Sequence, residues 1–304
     1  MPVSPPKPAS AGCAAVTSSA RLRRGAPGDS PDALKGYAVR PVWRWRNGCD
    51  EVDQDFIAEE VPIAFLYNER PHVVMMATPR DLDDFALGFS LSEAVIACTQ
   101  ELEQGGTKML LEGIELRLRV PEARAEALEA RRRNLTGRTS CGLCGTQALE
   151  DAVRQPPPVS GGPRINAETL QRALMQLQAR QPLNTATGAT HAAAWARADG
   201  GIALLREDVG RHNALDKLIG AMASAREDPQ RGFLVITSRA SYEMVQKAAT
   251  VGITLMAAIS APTALAIHLA EETGITLIGF ARSESHVVYT QPQRIAAARP
   301  ENAP

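Results

Sequence analysis

Two cysteines three apart, Cys141 and Cys144, stand in the stretch GRTSCGLCGTQALEDA, each followed by a glycine and shortly preceded by Arg131, Arg132 and Arg133. Three chemistries use such a CxxC pair. A structural zinc ion needs four ligands, yet Cys13, Cys49 and Cys98 are isolated, and His191 and His212 lie far along the chain without metal-like spacing. A thioredoxin-type dithiol sits directly after a strand and opens a helix, whereas here a charged helix precedes the pair. A nucleophilic or sulfur-carrying thiolate wants positive charge nearby. The three arginines, Arg138 and a helix beginning near Thr146 would supply it and lower the thiol pKa, although the arginine run also fits a solvated helix end.

A second dense group lies in REDVGRHNALDKLIG, residues 206–220, where Arg206, Glu207, Asp208, Arg211 and His212 crowd the start of an apolar-periodic helix. These charges are too close together for a plain turn. Helical periodicity places Leu215, Leu218, Ile219 and Met222 inward, so His212 or Asn213 is expected to cap the helix and Asp216 and Lys217 to face solvent. The chain has no Walker sequence, no GxGxxG and no zinc-deaminase signature, so no standard nucleotide or metal fingerprint applies. His72 in a strand and His268 on an apolar helix read as structural.

The elements that must hold these residues follow from patterning. Residues 61–68 and 72–78 form a hairpin. A helix follows, with Thr78 as N-cap, Pro79 at its first position and Asp81 as the capping-box acid. A half-buried strand runs through Ile114, Leu116, Leu118 and Val120, and a charged helix covers 121–134. The loop QPPPVSGGP, residues 155–163, excludes regular structure. Beyond it come helix 167–179, strands 191–196 and 202–205, helix 213–222, strand 233–237, helix 242–250, strand 254–259, helix 264–272 and strand 276–280. The fold class is therefore α/β in two domains: a tail at 1–36, a smaller N-terminal α+β domain at 37–134, a cysteine-bearing joint at 135–163 and a larger three-layer α/β domain at 164–304. Polar strand ends collect in REDVGRHN, TSRASYE, SAPT and FARSES, which are expected to line one crevice beyond the carboxyl ends of the strands.

With 304 residues, 44% hydrophobic and 22% charged, the chain has the composition of a folded globular protein long enough for two cores. A net charge of -1 offers no field to attract nucleic acid. Five cysteines make no disulfide framework and suit a reducing compartment. Residues 1–36 have no apolar core of signal-peptide length and read as a disordered tail, and the apolar stretch 253–270 is broken by Ser260, Pro262 and His268, so no membrane span is expected and the location is cytoplasmic.

Taken together and in order, IAEEVPIAFLYN, ATPRDLDDFALGFSLSEAVI, SCGLCG, LNTATGATHAAAW, LLREDVGRHNALDKLIG, ITSRASYEMVQKAATVGI, ISAPTALAIHLAEETGITLIGFARS and the final VVYT resemble the formate dehydrogenase accessory sulfurtransferase family (FdhD-type). The resemblance implies a larger domain similar to the cytidine deaminase fold without its zinc, and a homodimer. It implies sulfur transfer from a cysteine desulfurase to the molybdenum bis(guanine dinucleotide) cofactor, bound as substrate before it enters formate dehydrogenase, with no permanent cofactor. Cys141 matches the family's persulfide carrier and Cys144 the second cysteine. The family's cofactor-binding segment maps onto Phe280, Ala281, Arg282, Ser283, Glu284 and Ser285. Arg206, Arg211, His212 and Arg239 complete the expected cofactor contacts, the arginines as phosphate ligands. Two departures stand out. Ser285, His286 and Val287 replace an arginine followed by Phe-Asn, which removes one phosphate ligand, and Ala94 stands where a glycine is common.

Overall fold

The computed structural model describes residues 35–136 and 155–296. Residues 1–34 of the tail expected at 1–36, together with Arg138, Cys141, Cys144 and the helix start near Thr146, lie outside the described residues.

The described residues open with a two-stranded antiparallel hairpin, β1 (Tyr37–Arg46) and β2 (Cys49–Ala58), which hydrophobic patterning did not announce. The expected hairpin follows as β3 (Val61–Tyr67) and β4 (Arg70–Ala77). Next come α1 (Leu82–Ser92), β5 (Glu103–Met109), β6 (Ile114–Arg119) and α2 (Glu122–Thr136). β5 reads EQGGTKM, fully exposed and without alternation, so it gave no strand signal. These strands make a four-stranded sheet in the order β4-β3-β6-β5, with β3 and β6 parallel. Ile63, Phe65 and Tyr67 from β3 and Ile114, Leu116 and Leu118 from β6 bury against Phe85 and Phe89 of α1 and Ala125 and Leu128 of α2. The Phe65 ring meets Phe85 edge-on at 5.1 Å, a favoured aromatic geometry.

After the unstructured prolines and glycines of 155–163 the chain forms α3 (Ala167–Ala179), a short helix α4 (Pro182–Thr187), β7 (His191–Arg197), β8 (Ile202–Asp208), α5 (Arg211–Ser224) and β9 (Gly232–Ile236). It continues through α6 (Tyr242–Thr250), β10 (Leu255–Ala258), α7 (Ala264–Thr273), β11 (Thr276–Arg282) and β12 (Ser285–Val288). The strands form one six-stranded sheet, β12-β11-β10-β9-β7-β8, with β9, β10 and β11 parallel. Trp195, Leu234, Ile236, Met256 and Leu277 pack on α5, α6 and α7 from one face, while Ala194, Phe233, Val235, Leu255 and Ile278 pack on α3 from the other. Helix, sheet and helix make the three-layer α/β arrangement expected for this part of the chain. Among the described residues no helix is long and apolar enough to cross a membrane.

α1 crosses α5 at backbone contact. A Cβ on Gly88 would stand 1.7 Å from the Asp216 carbonyl oxygen, and one on Gly220 would stand 1.9 Å from that of Asp84. Only glycine at both positions lets the helices approach this closely. α5 is thus covered on both sides, by the sheet and by α1, which corrects the expectation for Asp216 and Lys217: both are fully buried. Thr78 is not the N-cap of α1. The cap position belongs to Asp81, in the left-handed region at φ 53°, and Thr78 is buried, its N–H donating to Asp208. α5 opens after Gly210, so neither His212 nor Asn213 caps it. His268 is exposed, its Nε2 3.2 Å from Glu272 Oε1, instead of packing between helices. Ala94 takes φ 47°, a left-handed backbone that glycine adopts at less cost, which accounts physically for the glycine expected there.

Candidate functional site

β8 runs in the same direction as β9, β10 and β11 because each of the pairs β7-β8 and β7-β9 is antiparallel. Their carboxyl ends therefore open on one edge of the sheet, where α5, α6 and α7 begin. The four polar segments meet there. Ala240 bridges Pro262, Thr263 N–H donates to the Ala240 carbonyl at 3.0 Å, and Phe280 N–H donates to the Ser260 carbonyl at 3.2 Å. His212 Nε2 lies 2.6 Å from Glu243 Oε2, outside hydrogen-bond alignment. The first residue of β7, His191, joins them from the same edge.

The charges of residues 206–212 divide into two groups. Arg206 donates from Nε and Nη2 to Asp84 Oδ2 at 2.8 and 2.6 Å, so its charge is neutralised by α1. Glu207 is buried and accepts from the N–H groups of Leu183 and Asn184 at 3.0 and 2.7 Å, satisfying the first turn of α4. Asp208 accepts four hydrogen bonds: from Thr78 N–H and Lys217 Nζ on one oxygen, at 3.0 and 2.6 Å, and from Gly210 N–H and Asn213 Nδ2 on the other, at 2.8 and 3.0 Å. These three residues build the wall.

Arg211 and His212 face the crevice. The Arg211 Nε is buried without a hydrogen-bond partner among the described residues. Burial, reinforced by the Arg211 charge, pulls the His191 pKa below its usual value. Burial also lowers that of His212, with Glu243 pulling the other way and Arg211 adding to the depression. Arg239 and Arg282 are exposed, and neither has an ion-pair partner among the described residues. Two imidazoles held towards the neutral form next to the Arg211 guanidinium, which has no ion-pair partner among the described residues, suit an anion. Ser241, at the start of α6, keeps a buried hydroxyl without a partner among the described residues, and neither α5 nor α6 has a side-chain cap there.

The 280–285 segment forms the far wall. A register shift between Gly279 and Arg282 bulges β11 against β12 and puts Phe280 at φ 49° with its ring partly exposed. A bulky residue in the left-handed region is strained, and such strain persists where the surroundings impose it. Ala281 is buried beneath, while Arg282, Ser283, Glu284 and Ser285 are exposed. His191 is a site residue that sequence reasoning did not select, and Glu243 entered only as the last residue of the polar segment TSRASYE. Glu243 stands two residues after the N-cap Ser241, and His191 begins a strand antiparallel to its neighbours; both positions follow once the strand directions are known. Among the described residues no group of three or more His, Cys, Asp or Glu side chains could hold a metal ion.

At the opposite end of α5 and α6 an apolar cleft of about 690 Å³ is lined by Leu91, Ile96, Cys98, Ile219 and Val251. Gln155, where the described structure resumes after Cys144, lines it too.

With this geometry in place, comparison with known proteins is decisive about family. Residues 58–296 match the model of the FdhD/NarQ family. The chain belongs to that family. Among FdhD/NarQ relatives, a protein named sulfur carrier protein FdhD from Xanthomonas euvesicatoria pv. vesicatoria (strain 85-10) is 56% identical over 260 residues, covering 86% of this chain and 92% of the relative. Another of that name, from Cupriavidus necator, is 52% identical over 259 residues, covering 85% and 90%. The fold is similar to the crystal structure of a candidate formate dehydrogenase accessory protein from Desulfotalea psychrophila, with a TM-score of 0.66, 22% identity and coverage of 86% of this FdhD/NarQ chain and 99% of that one.

Proposed function

We propose that this chain is a sulfur carrier of the cytoplasm that accepts sulfur from a cysteine desulfurase on Cys141 and delivers it to a molybdenum bis(guanine dinucleotide) cofactor bound as substrate, for insertion into formate dehydrogenase. The observation that carries the second half is the crevice. Arg211, Arg239 and Arg282, two neutral imidazoles and two uncapped helix starts converge on one sheet edge, a donor set suited to pyrophosphate. Phe280 offers an exposed ring on which a guanine can stack. Arg206, expected as a phosphate ligand, instead holds the wall through Asp84.

The chemistry of the first half is thiolate exchange. The Cys141 thiolate attacks the outer sulfur of the desulfurase persulfide, the donor S–S bond breaks, and the donor cysteine leaves as thiolate while Cys141 carries the persulfide. Reach is no obstacle. Cys144 lies eleven residues before Gln155, which spans at most about 38 Å, whereas α5, between the cleft and the crevice, is roughly 21 Å long. The carrier is read as a homodimer.

A second reading is a non-catalytic cofactor chaperone, since the crevice needs no thiol. Formate dehydrogenase activity in cells lacking the native gene separates the two. Loss of activity with Cys141→Ala supports the carrier; full activity with that variant supports the chaperone and removes the persulfide from the account.

A further inference from the structure

The hairpin β1-β2 is amphipathic in the reverse of the usual sense. Its register puts Val39, Trp43, Trp45, Val52 and Phe56 on one face. On the other, Arg44 meets Asp53 and Asp55 at 2.9 and 3.5 Å. The apolar face is the one turned to solvent: Trp43 is 80% exposed, Trp45 69% and Val52 65%. The charged face is the more sheltered, and β2 lies against α4. An isolated two-stranded hairpin is marginal in water, and an outward row of two indoles, two valines and a phenyl adds to the cost.

The geometry points to this face as the contact between two copies of the chain, and the inference rests on the homodimer reading above. The area argues for it. The five side chains expose about 600 Å² of apolar surface per copy, so pairing two faces buries roughly 1,200 Å², the lower bound of a stable interface. The charge argues for it as well. Between Tyr37 and Trp45, and from Val52 to Ala58, the face carries no ionised side chain, Asp50 near the turn being the one exception. Little on it selects a partner of opposite charge, whereas a β face about 33 Å long whose single charge sits at its turn end is complementary to itself across a two-fold axis. Such pairing bears on the crevice, because the first N–H groups of α4, the helix behind β2, are held by Glu207 of the crevice wall.

Tryptophan emission of the full chain tests this directly, since two of the three tryptophans are on the face and the third, Trp195, is buried in the core. Dilution should shift emission to the red in step with dissociation measured by sedimentation. Trp43→Glu with Trp45→Glu should raise the dimer dissociation constant by roughly thirtyfold or more, as expected for aromatic anchors. Gln54→Arg, which puts a charge in mid-face without removing an aromatic group, should weaken the dimer with an unchanged thermal melt. A wild-type chain that sediments as a monomer at every concentration overturns the dimer reading itself. A dimer that survives these substitutions, with emission indifferent to dilution, overturns this surface and leaves the dimer standing. Blue emission that no dilution alters but that deletion of residues 1–34 abolishes assigns the face to the chain's own N-terminal segment and overturns the inference too.

Discussion

Lys217 Nζ lies 2.6 Å from Asp208 Oδ2 with neither side chain exposed to solvent, and the same ammonium donates to the Thr78 carbonyl at 2.8 Å. One buried ion pair thereby ties the turn that presents Arg211 to the β4-α1 junction. Asp208 has all four of its hydrogen bonds filled, and Lys217 also rests 5.5 Å over the Phe85 ring. Lys217→Met leaves a buried carboxylate without its counter-ion and should destabilise the chain by about 3–5 kcal/mol. Urea denaturation at neutral pH measures it, and a loss under about 1 kcal/mol would mean water reaches Asp208.

The α1-α5 crossing makes a sharper demand. Gly88→Ala places a methyl group 1.7 Å from the Asp216 carbonyl oxygen, which neither backbone can accommodate in place. It should cost about 3 kcal/mol or more. It should also disturb the Ser92–Asp216–Lys247 cluster beside it, where Ser92 Oγ donates to Asp216 at 2.6 Å and Lys247 donates to both carboxylate oxygens at 2.9 and 3.0 Å. Burial works against the Lys247 charge there, but Asp216 and Glu93 together hold its pKa up. A thermal melt within a degree or two of wild type would show that the helices slide apart freely.

Ala94 offers a change in the other direction. Its φ of 47° is costly for any residue with a Cβ, so Ala94→Gly should stabilise the chain by about 0.5–1 kcal/mol despite the added freedom of the unfolded chain. A small rise in melting temperature is the expected result.

Within the crevice, Arg211→Ala and Arg239→Ala should each weaken binding of guanosine diphosphate by about tenfold or more, with little change in thermal stability. Arg206→Ala should do the reverse, costing stability first because it leaves Asp84 without its partner. Calorimetric titration beside a thermal melt distinguishes the two patterns.

The imidazoles give the crevice a pH dependence of definite sign. His191 and His212 have folded-state pKa values below the usual histidine value, so the unfolded chain binds protons that the folded one refuses. Their contribution to stability is whole above the unfolded value, about 6.5, and is lost as pH falls through the folded one. A bound phosphate raises both values, so guanosine diphosphate binding should take up protons and tighten as pH drops from 7.5 towards 6. Titrations in buffers of different ionisation enthalpy measure that uptake.

The sequence makes much of the large sheet legible because FLVI, LMAA and TLIGF are continuous apolar runs, each reached through or followed by a helix with a polar start, the pattern of buried parallel strands. The β1-β2 hairpin left no clear signal because its tryptophans, which alternate in sequence with arginines, lie on a face that none of the described residues covers. Asp216 and Lys217 were misplaced because helical periodicity finds one apolar face, and α5 is packed on two. Arg206 reads as a phosphate ligand until Asp84, 122 residues away, is brought to it by the crossing at Gly88. Long-range pairings of this kind leave no local trace. The crevice itself was legible as four polar strand ends, while His191 needed the strand directions.

The sulfur-carrier claim meets its most direct test in intact mass. The protein is incubated with a cysteine desulfurase and cysteine, then weighed under non-reducing conditions, as wild type and as Cys141→Ala. The account predicts the gain of one sulfur atom on the wild type and none on the variant; an unmodified wild type, or equal loading of Cys141→Ala, would contradict it.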